Sequence, residues 1–157
     1  IKTIHIELFY KKEEKLMADY LCVSRTSYFR VKDEEEFRKV VGCILGDVDV
    51  WEQTGDDGVK RLAIGGYDIM TAFECGEDED PEFYEKFGGI TETAKAIQLC
   101  LTDDEVAFIF EAGHEKLRYV CGWACMITPK DIQYMDLHQW AIEKCEQLGL
   151  PVPQMDY

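Results

Sequence analysis

With 157 residues, the chain is long enough to bury one continuous core and short for two. An apolar fraction of 46%, with eight Phe, eight Tyr and three Trp, excludes a disordered chain. A net charge of −15 argues against direct contact with a nucleic-acid backbone or an anionic membrane face, and no apolar run approaches the roughly 20 residues that span a bilayer.

Residues 3–10 alternate apolar and polar (Ile4, Ile6, Leu8), which reads as a strand. The run Lys11-Lys12-Glu13-Glu14-Lys15 then precedes Met17, and its codons can spell a ribosome-binding site. Residues 1–16 are therefore either a translated leader or an extra N-terminal strand, and residues 17–157 form a single α+β domain. Ser27–Val31 is expected as a strand. Asp33, with Glu36 three residues on, forms a capping box ahead of a helix whose stripe is Phe37, Val40, Val41 and Ile44. Strands at 48–53 and 59–65 flank Thr54-Gly55-Asp56-Asp57-Gly58, a hairpin signal. Tyr67–Glu74 is expected as a further strand, with Ile69 and Met70 near its centre.

Pro81 suits the first turn of a helix bearing Phe83, Tyr84 and Phe87. A second helical stripe runs through Ile90, Ala94, Ile97 and Leu101. Strands at 106–111 and 117–127 follow, with the turn expected at Gly113-His114. After a short strand at 132–135, Asp136 caps a last helix with Leu137, Trp140, Ala141, Cys145 and Leu148 on its apolar face, stopped by Gly149 and Pro151. Two β-α-β-β units result: a mainly antiparallel sheet, helices on one face and a C-terminal helix.

Seven cysteines without a C-x-x-C cannot all pair within the chain. Cys121 and Cys125 would lie roughly 13 Å apart along one strand, too far for a disulfide. Buried free thiols imply a reducing compartment, and no secretory signal layout is visible, so a cytoplasmic location is expected. Short-spaced Cys and His for zinc, the twelve-residue calcium loop, phosphate-cradling glycine motifs and the G-x-S-x-G elbow are all absent from the sequence. Neither a metal nor a cofactor is therefore assigned. A Cys–His dyad built on His114 lacks any surrounding motif, and no catalytic residue is assigned.

The charge is concentrated. Residues 47–105 hold 17 acidic side chains against Lys60, Arg61, Lys86 and Lys95. On one face, such carboxylates would resemble the regular charges of duplex DNA; scattered, they serve solubility alone. The first reading makes the chain an inhibitor of a basic nucleic-acid-binding protein. Asp56, Asp57, Glu77, Asp78, Glu79 and Asp80 would carry the contact, with Trp51 and Tyr84 as anchors. The alternative is a small-molecule-binding module with a cleft between the two units, lined by Arg30, Arg118 and Trp123. Arg30 and Arg118 could equally pair with carboxylates across the sheet. Tyr28–Glu35 and Glu115–Gly122 resemble a group of small acidic proteins of phage-like and mobile elements in gut Firmicutes. That resemblance implies an anti-defence or host-modulating protein and brings no catalytic residues.

Overall fold

The computed structural model describes residues 20–67, 70–76, 80–115 and 119–155. The expectations for residues 1–16 and for a start at Met17 lie outside that range. The elements are β1 (Tyr20–Thr26), α1 (Glu34–Gly42), β2 (Asp49–Thr54), β3 (Lys60–Gly66), α2 (Pro81–Phe87), α3 (Thr93–Cys100), β4 (Ala107–Glu115), β5 (Tyr119–Ile127), β6 (Ile132–Asp136) and α4 (Leu137–Leu148). The strands make one antiparallel sheet in the order β2-β3-β1-β4-β5-β6. The fold is α+β, as the sequence indicates.

Local chemistry explains most boundaries. Asp33 accepts the Glu36 amide at 2.9 Å and opens α1, whose first turn is acidic (Glu34, Glu35, Glu36) and whose last turn carries Lys39, as the helix dipole favours. Asp80 accepts the Phe83 amide at 2.9 Å, with Pro81 in the first turn of α2. Asp136 accepts the amides of His138 and Gln139 and opens α4, and Gly149 ends it in the left-handed conformation at φ 67°. Gly58, at φ 71°, makes the β2–β3 turn.

Helices α1, α2 and α3 cover one face of the sheet. Phe37 and Val40 from α1, Phe83 and Phe87 from α2, and Ala96 and Ile97 from α3 pack there on Leu62, Ile64, Ile109, Cys125 and Ile127. Five cysteines, Cys22, Cys43, Cys75, Cys100 and Cys125, are buried. Burial pushes the Cys100 thiol up to about 12, so it behaves as a small apolar side chain.

Three expected elements differ. The first strand is Tyr20–Thr26, not Ser27–Val31; beyond Ser27 the chain leaves the sheet, and Phe29 and Val31 form single bridges to Leu62 and Leu101. The departure turns Phe29 into the core, edge-on to Phe37 with centroids 5.4 Å apart. Among the described residues of 67–74, Ala72 and Phe73 make single bridges to Glu92 and Ile44 instead of joining the sheet, because Phe73 is drawn into the helical layer against Phe87. The second half therefore opens without a strand of its own. Gly113 and His114 lie within β4, which runs to Glu115; the turn falls at 116–118, outside the described residues.

Candidate functional site

The acidic positions are placed first by their partners. Asp57 lies in the β2–β3 turn, where Oδ2 accepts from Arg61 Nη2 at 2.6 Å; the guanidinium holds its carboxyl well below the usual range. Asp80 caps α2 and also takes Lys39 Nζ at 2.7 Å, which likewise lowers it. Asp56 is exposed in the same turn as Asp57, and Glu77, Asp78 and Glu79 lie outside the described residues. Elsewhere Glu34 and Glu52 share Arg38 and Lys60, while Lys86 binds Glu36. Seven basic side chains thus meet eight carboxylates among the described residues. These paired carboxylates tie turns and helices together.

Of the two expected anchors, Tyr84 is half-buried against the core. Trp51 is half-buried on the opposite side of the sheet, where the Arg25 guanidinium lies 4.5 Å from its ring centroid. Arg30 turns to the α3–β4 connection, bonding Glu105 through Nε at 2.7 Å and Asp104 through Nη2 at 2.9 Å. Both carboxylates hold its guanidinium above its ordinary pKa, Glu105 first. Arg118 lies outside the described residues. Arg30 and Trp123 are not brought to a common cleft.

The face of the sheet away from α1–α3 is apolar and, among the described residues, covered only by the start of α4. Strand pairing aligns Val23 with Ala112 and Ala112 with Gly122, then Phe110 with Ala124 and Ala124 with Met135. Leu21 is 62% exposed, Val120 68% and Phe110 52%. Phe108 and Phe110 stack with their planes 13° apart. A groove of about 430 Å³ runs between Val23, Phe110, Val120, Met135 and Leu137. Leu137, at the start of α4, closes over Gly122, where any Cβ would meet its side chain. Helix α4 turns His138, Ala141, Ile142 and Cys145 partly inward and leaves Leu137, Trp140 and Leu148 exposed, so the patch continues along the helix. Together these groups form a run of exposed apolar side chains across the sheet and helix α4. None of the described residues that β1, β4, β5 and β6 turn to this face is acidic; Arg25 and His114 are its ionisable groups.

His114 pairs with Leu21 and Val120 and is exposed on this open face, whereas Cys22, Cys121 and Cys125 belong to the helix-covered face. The sheet separates His114 from these three cysteines. On the covered side, Trp123 lines a cavity of about 270 Å³ with Met70, Ile109, Glu92 and Tyr134. Sequence reasoning passed over Tyr134, Glu92 and the buried Glu111, although Glu111 is in phase along β4 with Ala107 and Ile109. Among the described residues no helix is long and apolar enough to cross a membrane, and no group of three or more His, Cys, Asp or Glu side chains is disposed to hold a metal ion. Compared with protein-family models, curated proteins and solved structures, the chain matches none.

Proposed function

We propose that this chain is a protein-interaction module whose contact surface is the open sheet face with α4, and whose partner carries an apolar patch ringed by basic residues. A single observation carries the reading: in a chain of net charge −15, no described acidic side chain of β1, β4, β5 or β6 turns to the open face, which is apolar and only partly covered among the described residues. Strands apolar on both faces are ordinarily covered on both. An exposed patch of this kind marks a surface that another molecule covers. Beyond the patch, exposed Asp49 and Asp56 on the β2–β3 hairpin supply an acidic rim. Rim charges of this sort steer a basic partner and set its on-rate, while the apolar centre provides the affinity.

The acidic surface serves here as a rim, not as an imitation of the DNA backbone. The narrower reading makes the partner a nucleic-acid-binding protein, and it predicts that duplex DNA competes for the partner. The test places a photo-crosslinking phenylalanine analogue at Phe110, at Val120 and, as a control outside the patch, at Leu99 in the full chain. Adducts to one basic protein from the first two positions, lost when Val23→Glu is added and reduced by salt, support the proposal. An adduct to a second copy of the chain replaces it with self-association. Equal labelling from all three positions refutes it.

A further inference from the structure

On the helix-covered side, between β4, β5, β6 and the start of α3, lies the cavity of about 270 Å³ that Trp123 lines. From its lining we infer that it binds a small organic cation, an alkylammonium or quaternary ammonium group. Its floor is apolar: Met70 and Ile109 are both buried, and Met70 adds a polarizable sulfur. Its walls are the rings of Trp123 and Tyr134, with centroids 6.4 Å apart and planes inclined by 47°. Two rings in that arrangement form a notch. A cation that contacts both rings comes within the roughly 6 Å reach of a cation–π contact.

The rim supplies the countercharge. Glu92 occupies the N-cap position of α3, yet its side chain makes no cap hydrogen bond. Instead Oε2 accepts from the Tyr134 hydroxyl at 3.1 Å, at the cavity edge. Burial, with Cys125 and Glu92 nearby, raises the pKa of that hydroxyl, so it stays a donor throughout the neutral range. Lys95 and Lys130 line the adjoining groove, but neither comes within ion-pair distance of Glu92, and among the described residues Glu92 has no salt bridge. A carboxylate without a cation, drawn from its helix cap to the mouth of an aromatic notch, selects against anions. It also makes a neutral ligand the poorer occupant. The volume of about 270 Å³ is ample for a ligand of tetramethylammonium size.

The test is calorimetric titration of the full chain with tetramethylammonium chloride, in parallel with neopentyl alcohol (its neutral counterpart in size) and sodium acetate at matched ionic strength. Saturable binding of tetramethylammonium is expected, with the alcohol and acetate weaker by about tenfold or more. Glu92→Gln should lower the affinity about fivefold and Tyr134→Leu more, and both side chains are exposed enough for the fold to survive. Three outcomes overturn the inference: no saturable heat, equal affinity for the neutral alcohol, or unchanged binding in both variants. The open-face proposal stands or falls separately.

Discussion

Glu111 has the least ordinary placement of any side chain in the protein. It is 6% exposed, in the middle of β4, on the face that packs against the helices. A buried carboxyl is tolerated only when donors replace the water it has lost. Tyr20 Oη and Ser24 Oγ each donate to it at 3.0 Å, one to each oxygen. Gly113 makes this geometry accessible, because a Cβ there would collide with the Tyr20 hydroxyl and with Cys22. Ser24→Ala should therefore cost about 1–3 kcal/mol in urea unfolding, the penalty for a buried acceptor left short of a donor. A loss below about 0.5 kcal/mol, the range of neutral surface changes, would show that water takes the place of the hydroxyl. The inward phase of Glu111 is legible in the sequence, since it follows Ala107 and Ile109 at strand spacing. Its donors are not, because they lie 91 and 87 residues away and only the β1–β4 pairing brings them close.

Among the elements, those set by local chemistry were legible and those set by packing were not. Asp33, Asp80 and Asp136 open helices through hydrogen bonds within three residues, so each start could be read directly. The β2–β3 hairpin follows from its Asp-Gly turn in the same way. Tyr20–Thr26 gave no clear alternation because Leu21 and Val23 place apolar side chains on the open face too. Residues 67–74 have the composition of a strand, but the burial of Phe73 in the helical layer decides their path. The face of α4 was misjudged for a related reason. Of its predicted stripe Leu137, Trp140, Ala141, Cys145 and Leu148, the helix turns Ala141 and Cys145 partly inward and leaves the other three exposed. No residue of α4 is buried, whereas α3 buries Thr93, Ala94, Ala96, Ile97 and Cys100. Helix α4 should accordingly open at far lower free energy. Amides in 140–148 are expected to exchange at least about tenfold faster than those in 96–100, read by hydrogen exchange and mass spectrometry. Equal protection would mean that another surface covers α4 in solution.

For the molecule as a whole, two electrostatic effects of opposite sign set the dependence of stability on pH. At neutral pH a net charge of −15 opposes the compact state through self-repulsion. Moderate acidification relieves this repulsion as the net charge shrinks toward the isoelectric point near 4.5. Against it stand carboxylates held below their ordinary range: Asp57 by Arg61, Asp80 by Lys39, Asp104 by Arg30, and Glu34 by Lys60 and Arg38. A group whose folded pKa is depressed stabilises the fold above its unfolded pKa, near 3.9 for Asp and about 4.3 for Glu, and that contribution is lost as pH falls through the folded value. The ion pairs therefore survive the fall from pH 7 to about 5, while the repulsion weakens. The melting temperature should rise over that interval, pass through a maximum near pH 5, and fall steeply below about pH 4. Thermal unfolding across pH 3–8 reads the curve, and Asp80→Asn with Asp104→Asn should blunt the acid limb while leaving the rise from neutral pH in place. A melting temperature that falls steadily from pH 7 would show that ion pairing outweighs the net charge even at neutrality. In that case the acidity concentrated between residues 47 and 105 would be compensated internally and would have little left to offer a partner as a rim.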